Sequence, residues 1–239
     1  MELAQVSLIL ADISGYTNFV TMHRISVLHA EQIITELLEA IINQIEAPLI
    51  LNKLEGDAVF LYARTGDEAS LAKVVLDKVL VFFTSFKARQ QELIQAGEGG
   101  CSCEACCNIS QLSLKIIVHY AQVVIKQVRH LEELAGSDVI LAHRLLKNSV
   151  PANEYLLLTE KFYQWSGGLP GPEPQVFKDT YQDIGVVQGR VYYPDLPGLK
   201  IPDTPRFTRL AGILAGLKLF PKTIRQRWFH PRTFHNLPQ

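Results

Sequence analysis

The chain has 239 residues, enough to bury a sizeable core without disulfides or a structural metal. Hydrophobic residues make up 48% and charged residues 20% of it, which excludes a disordered, collagen-like or coiled-coil protein. No apolar run is long enough to cross a bilayer. The N-terminus shows no export signal, so the expected location is the cytoplasm.

The net charge of −1 conceals two regions of opposite charge. From Arg206 to the end there are seven basic residues and no acidic one, which leaves 16 basic against 24 acidic residues, a net charge of −8, in the rest. Four prolines between positions 194 and 205 mark the junction. We therefore expect one domain over residues 1–196 and a Pro-rich linker with a basic tail over residues 197–239.

The first elements alternate between strand and helix. Residues 4–13 predict a buried strand that ends at an acid. Apolar residues at helical spacing over residues 19–45 predict a long amphipathic helix, which Pro48 stops. Two short strands follow at residues 49–53 and 58–62, joined by a tight hairpin.

The middle of the chain begins with a second helix, which Asp67 can cap. Its predicted core stripe consists of Leu71, Val74, Val75, Val79, Phe82, Phe83 and Phe86. A Gly- and Cys-rich connection over residues 97–107 leads to a long strand at residues 112–128. A helix over residues 137–147 comes next.

The last elements are a strand at residues 155–159, a short helix at residues 160–165 and a closing pair of strands at residues 176–179 and 183–193. This order suits an α+β sandwich, with helices on one face of a mostly antiparallel sheet. A ferredoxin-like split β-α-β core is the natural candidate.

Two acids mark a candidate metal site. Asp12 ends the first strand and Asp57 sits in the hairpin turn, and in a ferredoxin-like sheet these two places can be neighbours. Paired carboxylates suit Mg²⁺ or Mn²⁺. The free N–H groups at the start of the first helix, around Gly15, Tyr16 and Thr17, suit a phosphate. The alternative is that Asp12 caps the helix and Asp57 serves only the turn.

Five segments resemble, in the same order, the motifs of class III nucleotide cyclase catalytic domains. They are residues 12–17 (D-I-x-G-F-T in the family), 53–57 (K-x-x-G-D), 114–121 (L-R-x-G-I-H-x-G), 136–145 (G-x-x-V-N-x-A-x-R-L) and 183–189 (L-G-x-x-x-x-K-G). Five matches in register are a strong indication of a ferredoxin-like cyclase homology domain. The cysteine-rich variant of these motifs resembles an uncharacterised bacterial subfamily.

The resemblance implies a metal-dependent conversion of a purine nucleoside triphosphate to the 3′,5′-cyclic nucleotide and pyrophosphate. It assigns two metal ions, Mg²⁺ or Mn²⁺, to the carboxylates of Asp12 and Asp57 and the backbone carbonyl of Ile13. It assigns purine recognition to Lys53 and Glu133, a donor and acceptor pair that favours adenine. In the family the site lies between two subunits, so a homodimer is implied.

Two arginines are assigned to the phosphates by the same resemblance. Arg144 matches the family arginine that neutralises developing charge, and Arg190, just past Gly189, is a weaker match. Ile140 stands where the family has an asparagine that orients the ribose, and an isoleucine side chain forms no hydrogen bond. Two functions therefore stay open: an active cyclase, adenylate type preferred, or a weak or silent relative that binds a nucleotide or scaffolds a partner.

All four cysteines fall within seven residues, at Cys101, Cys103, Cys106 and Cys107. Such a cluster favours a structural Zn²⁺ or an iron–sulfur cluster, with three thiolates plus a histidine or a partner chain. The alternative is a loop of exposed thiols. His119 matches a strand position of the family and is expected to be a core histidine.

The basic tail begins with an N-cap at Thr204 and a proline at Pro205. Large apolar residues follow at helical spacing through residue 220, and the cations and aromatics beyond them are typical of an interfacial membrane helix. Docking on its own acidic domain or on the dimer partner is the favoured alternative. No nucleic-acid recognition motif accompanies the charge, so nucleic acid is not an expected partner.

Overall fold

The computed structural model describes residues 1–22, 27–64, 69–100, 104–171 and 173–194. The strands are β1 (Glu2–Ser14), β2 (Ile50–Glu55), β3 (Ala58–Arg64), β4 (Ser113–Val128), β5 (Leu131–Ala135), β6 (Tyr155–Thr159), β7 (Gln175–Tyr181) and β8 (Gly185–Tyr192). The helices are α1 (Tyr16–Met22), α2 (Val27–Ile42), α3 (Ala69–Gly100), α4 (Glu104–Cys107), α5 (Ser137–Leu145) and α6 (Glu160–Ser166).

The strands form one sheet in the order β2-β3-β1-β4-β6-β8-β7, with β5 paired to the far end of β4. The pairings are antiparallel except that of β4 with β6. β1 is an inner strand, which pairs along its whole length with β4 and along about half of it with β3. The predicted α+β fold with a mostly antiparallel sheet is therefore confirmed.

Side chains alternate between the two faces of the sheet, and each face has its own core. Ile9, Ala11 and Ile13 of β1 face α1, α2, α3 and α6, whose apolar stripes form the larger core. Leu8 and Leu10 point to the opposite face, where α5 covers the sheet. Ala105 of α4 belongs to the larger core as well, so the expectation of helices on one face holds for five of the six described α-helices, and α5 is the exception.

Helix α3 is longer than the spacing of apolar residues predicted, since it continues through Gly97 to Gly100. Its buried stripe uses Ala72 and Leu76, while Val74, which was assigned to the stripe, is 39% exposed. At Gly97 an added Cβ would lie 3.1 Å from the Cβ of Cys106, so the glycine lets α4 approach closely. Packing therefore outweighs the weak helix propensity of glycine here.

Strand β5 was not predicted, because Leu131–Ala135 contains two glutamates and lacks the β-branched residues typical of strands. It forms by pairing with the end of β4 in a hairpin, with Lys126 opposite Glu133. The hairpin matters for the site, because it carries Glu133.

Several predictions concern positions outside the described residues. They are the helix cap at Asp67, the ligand roles of Cys101 and Cys103, the Pro-rich linker and the basic tail. Two helices, α1 and α2, overlap the single helix predicted over residues 19–45, with α1 starting three residues earlier, and the positions between them are also outside the described part. Among the described helices, none is long and apolar enough to cross a membrane.

Candidate functional site

The end of β1 and the β2–β3 turn bring Asp12 and Asp57 together. Asp12 is opposite Ala58 in the β1–β3 register, and the backbone N–H of Ile13 donates to the Asp57 carbonyl over 3.1 Å. Gly56 provides the left-handed backbone that the turn requires, with φ of 63°. Burial and then the charge of Asp12 raise the pKa of the Asp57 carboxyl to about 6. Two acids therefore share one partly desolvated place.

A third carboxylate, Glu31, joins this pair from α2. It accepts a hydrogen bond from the Tyr16 hydroxyl over 2.9 Å, and this bond is the main reason that the pKa of Tyr16 is raised. The charge of Glu31 also contributes to the raised pKa of Asp57. Tyr16 was predicted to bind phosphate, and Glu31 was not predicted to belong to the site. The spacing of apolar residues predicts that Glu31 is helical, but it does not show which end of the sheet this part of the helix packs against.

Lys115 is the basic residue of this group and was also missed. It lies directly opposite Asp12 in the β1–β4 register, and its Nζ is 2.9 Å from Asp12 Oδ2. The same ammonium donates to the Leu146 carbonyl over 3.0 Å. Both side chains of the ion pair are largely buried, with 18% and 13% of their surface exposed. Lys115 thus pairs with Asp12 and partly offsets the rise in the pKa of Asp57, and the three carboxylates Asp12, Asp57 and Glu31 outnumber it.

The first helix begins beside these acids. Gly15 has φ of 91°, and its carbonyl accepts the first backbone hydrogen bond of α1 from Phe19. An added Cβ at Gly15 would lie 3.2 Å from the Gln111 carbonyl, so a larger residue would strain this turn. Thr17 follows Tyr16 in the first turn of α1 and is exposed.

The two residues assigned to the purine meet in the structure. Lys53 of β2 places its Nζ 3.5 Å from Glu133 Oε2 and 3.5 Å from Glu55 Oε1. The ammonium also lies over the Phe60 ring, 5.9 Å from its centroid. A hydrogen bond from a side chain to the backbone also joins β2 to β5, because Asn52 Nδ2 donates to the Glu132 carbonyl. The β2 edge and the β4–β5 hairpin therefore form one polar surface.

Helix α5 carries the other predicted residues. Ile140 is 55% exposed, and Arg144 lies one helical turn further along. The Arg144 guanidinium contacts the β7–β8 turn, through the Gln182 carbonyl and, at 4.0 Å, the carboxylate of Asp183. His143 joins α5 to the β2–β3 hairpin, with its Nδ1 3.2 Å from Glu55 Oε2.

Asp138 fixes the N-terminus of α5 on the sheet. Its Oδ2 accepts a hydrogen bond from the Gln122 N–H over 2.9 Å, and its Oδ1 is 3.4 Å from His119 Nε2. His119 Nδ1 lies 2.9 Å from the Thr159 hydroxyl, and the ring is 1% exposed, as expected for a core histidine. The contact with His119 is the main cause that lowers the pKa of Asp138 to about 2, against the effect of burial.

Asp138→Asn should lower the free energy of unfolding at pH 7 by about 2 kcal/mol, because the folded chain holds this carboxylate far below its ordinary pKa. The contribution is fully present above the unfolded pKa, near 4, and is lost as the pH falls towards 2. Denaturant unfolding at pH 7 and pH 3 measures it, with the exposed Asp183→Asn as control. An equal difference between wild type and Asp138→Asn at both pH values would contradict the charge argument.

Arg190 is not brought to the acids. It is opposite Leu158, which belongs to the core under α1, α2, α3 and α6, whereas Asp12 faces the α5 side. Its NH1 lies 2.7 Å from Glu160 Oε2, and the guanidinium stacks over Tyr163, 5.0 Å from the ring centroid. Within this chain Arg190 therefore fastens β8 to α6, and its assignment to the phosphates stays a prediction.

The cysteine cluster is described only in part. Cys106 is half-buried and Cys107 is exposed, while Cys101 and Cys103 lie outside the described residues. In the part of the chain that the structure describes, no group of three or more His, Cys, Asp or Glu side chains has the geometry of a metal centre.

Comparison with known proteins gives a family and a fold. Residues 34–155 match the family model described as "Protein of unknown function (DUF2652)". The uncharacterized protein Rv2561/Rv2562 of Mycobacterium tuberculosis is 38% identical over 125 residues, which cover 52% of this chain and 56% of that protein. The chain therefore spans about half the length of the curated relative it matches.

Solved structures of nucleotide cyclases share the architecture. The guanylyl cyclase Cya2 is similar with a TM-score of 0.59 at 11% identity, over 80% of this chain and 92% of that one. The adenylyl cyclase CyaB from P. aeruginosa has a TM-score of 0.55 at 14% identity, over 80% and 95%. An adenylate/guanylate cyclase/hydrolase from Silicibacter pomeroyi has a TM-score of 0.53 at 18% identity, over 82% and 99%. At these identities the likeness establishes the class III cyclase fold alone.

Proposed function

The chain belongs to the DUF2652 family and has the class III nucleotide cyclase fold, and from this we propose that it is a metal-dependent nucleotide cyclase. Its substrate would be a purine nucleoside triphosphate, ATP preferred, and its products the 3′,5′-cyclic nucleotide and pyrophosphate. We place the catalytic unit in residues 1–196 and treat residues 197–239 as a separate linker and tail.

The excess of carboxylates around Asp57 is the observation that carries this proposal. Asp12, Asp57 and Glu31 outnumber the single lysine, Lys115, and burial and then the charge of Asp12 raise the pKa of Asp57 to about 6. Oxygen donors of this kind fit Mg²⁺ or Mn²⁺. Asp12 and Asp57, with the Ile13 carbonyl, would hold such ions, which would stabilise charge on the attacking and leaving oxygens.

Lys53 and Glu133 support recognition of adenine. They are 3.5 Å apart and about one-third exposed, so both can turn towards a ligand. An ammonium donates to a ring nitrogen, and a carboxylate accepts from an exocyclic amine. Lys53 is oriented by Glu55 and by the Phe60 ring, which limits the positions that its ammonium can take.

In the reaction the ribose 3′-hydroxyl would lose its proton to water, its oxygen would bond to the α-phosphorus, and the bond from that phosphorus to the bridging oxygen of pyrophosphate would break, so that pyrophosphate leaves. Arg144 would neutralise the negative charge that develops on the phosphate oxygens. Most of the rate then depends on positioning, which the chain supplies through the Asp138 anchor of α5 and the β2–β3 turn.

We propose that two copies of the chain build each site. The elements that carry Glu133 and Arg144 also expose apolar side chains, since Val128 is 49%, Leu131 is 54% and Ile140 is 55% exposed. Such side chains beside polar ligand-binding residues are typical of a surface that a partner covers. A twofold dimer would cover them in both copies and form two equivalent sites.

A second candidate function is a nucleotide-binding module with little or no turnover. Ile140 favours it, because this side chain offers no hydrogen bond to a ribose. The buried Lys115–Asp12 ion pair favours it too, because a cation at Asp12 competes with the ammonium. This candidate predicts stabilisation by a nucleotide without product.

The deciding experiment incubates the purified chain with ATP, GTP, CTP or UTP and Mn²⁺, and detects cyclic nucleotides by mass spectrometry. We expect cyclic AMP as the main product, and none when EDTA is present. Sedimentation in the same buffer should show a dimer. If a folded dimer yields no cyclic product but ATP raises its melting temperature, the binding module replaces the enzyme.

A further inference from the structure

The ammonium of Lys115 is held in one place by two elements. Its Nζ lies 2.9 Å from Asp12 Oδ2 on β1 and 3.0 Å from the Leu146 carbonyl oxygen at the end of α5. The carbonyl end of a helix carries partial negative charge, so both partners attract the ammonium. The ion pair is largely buried, and salt therefore screens it much less than a pair on the surface.

The same ammonium acts on the second carboxylate of the candidate metal site. Burial and the charge of Asp12 raise the pKa of Asp57, and the charge of Lys115 opposes them. Glu31, which accepts a hydrogen bond from the Tyr16 hydroxyl, adds its own negative charge to the same place. Three ionised carboxylates and one ammonium leave a net charge of −2, which one divalent cation neutralises.

We propose that the Lys115 ammonium takes the place of one metal ion at Asp12, so that without a nucleotide the chain binds one divalent cation rather than two. The inference rests on the metal site of the proposed function, but it does not depend on turnover. Mg²⁺ commonly keeps several waters and takes only one or two carboxylates from the protein, so Asp57 with the Ile13 carbonyl can hold the one ion. A second ion needs further negative charge, which a triphosphate brings.

A purely structural role of Lys115 is the alternative explanation. In that role the ion pair and the hydrogen bond to Leu146 only fasten β4 to β1 and to α5. Removal of the ammonium would then lower the free energy of unfolding, since it leaves a buried carboxylate unpaired, and it would not change how many ions bind. The number of bound ions therefore separates the two roles, and stability alone does not.

The test titrates the full chain with Mn²⁺ alone, in the absence of nucleotide, and measures the free ion by its electron paramagnetic resonance signal. We expect one bound Mn²⁺ per wild-type chain. Lys115→Met keeps an unbranched side chain and removes the charge, so it should bind two ions. It should also bind the first at least about tenfold more tightly, because a unit charge a few ångströms away no longer repels it. Lys115→Arg keeps the charge and should bind one ion.

Lys178→Met is the matched control, since it removes an exposed ammonium of β7 and should bind one ion as the wild type does. Circular dichroism checks that each variant is folded, and the count on the wild type keeps the test valid if Lys115→Met does not fold. Two ions on the wild type, or one ion of unchanged affinity on folded Lys115→Met, would overturn the proposal. Binding of no Mn²⁺ by either chain would overturn it together with the metal site. Failure to form a cyclic nucleotide, in a chain that binds one ion, would count against the proposed turnover alone.

Discussion

Asp57→Asn should abolish nucleotide turnover and at the same time raise the free energy of unfolding at pH 7. The pKa of this carboxyl is raised from 3.8 to about 6, so the folded chain prefers it protonated. A raised pKa of an acid gives stability that is present below the unfolded pKa and is lost as the pH rises through the folded one. Ionisation of Asp57 therefore lowers the free energy of unfolding of the wild type as the pH rises from about 4 to 6. The Asp57→Asn variant has no such ionisation and keeps that free energy.

The gain at pH 7 should be about 2 kcal/mol. The difference between the two pKa values corresponds to about 3 kcal/mol, and partial exposure of the carboxylate reduces it. An asparagine keeps the size of the side chain and can still serve the hairpin turn. Loss of turnover follows because Asp57 is one of the two proposed metal-binding carboxylates, and such opposed effects on stability and activity are typical of functional sites.

Thermal and denaturant unfolding at pH 5 and pH 7, with and without Mn²⁺, measure this prediction. Mn²⁺ should raise the melting temperature of the wild type and have little effect on Asp57→Asn. Asp77→Asn, an exposed carboxylate of α3, is the matched control and should change neither stability nor turnover. A variant less stable than wild type at pH 7 would mean that the Asp57 carboxylate stabilises the turn and that its ionisation does not destabilise the folded chain.

The parts of the fold that local patterns determine were predictable from the sequence. β6 has the predicted bounds, and β1 contains the predicted strand with a few residues added at each end. The hairpin around Gly56 was recognised because a glycine and an acid between two apolar runs have few other structures available. The neighbourhood of Asp12 and Asp57 also followed, since a strand end and an adjacent turn meet in this topology.

The site residues that the sequence did not predict depend on contacts between elements that are distant in the sequence. Glu31 reaches Asp57 only through the packing of α2 on the sheet, and Lys115 reaches Asp12 only through the register of β1 with β4. A shift of one residue in that register would have sent Lys115 to the other face. The contacts of Arg190 with α6 could not be predicted for the same reason, because the sequence near Gly189 does not show which face of β8 its side chain takes.

Ile140→Asn tests the largest departure from the family pattern. If the missing hydrogen bond to the ribose limits the reaction, an asparagine should raise turnover by roughly 10²- to 10³-fold, the usual effect of one preorganised polar group in an active site. The substitution should cost little stability, because Ile140 is 55% exposed on α5 and substitutions at such positions usually change stability by under about 0.5 kcal/mol.

Ile140→Ala is the control that separates the amide from the loss of apolar surface. It removes the branched side chain and adds no hydrogen-bonding group, so its turnover should stay within a few-fold of the wild type. Initial rates at saturating ATP and Mn²⁺ make the comparison. Sedimentation shows whether either variant weakens the dimer, because an exposed isoleucine is expected to lie in its interface.

If the asparagine and alanine variants have equal rates, residue 140 does not contact the ribose. The family arrangement of α5 then does not apply to this chain, and a nucleotide-binding module with little or no turnover becomes the favoured function. In that function the Lys115–Asp12 ion pair prevents a metal ion from binding at Asp12.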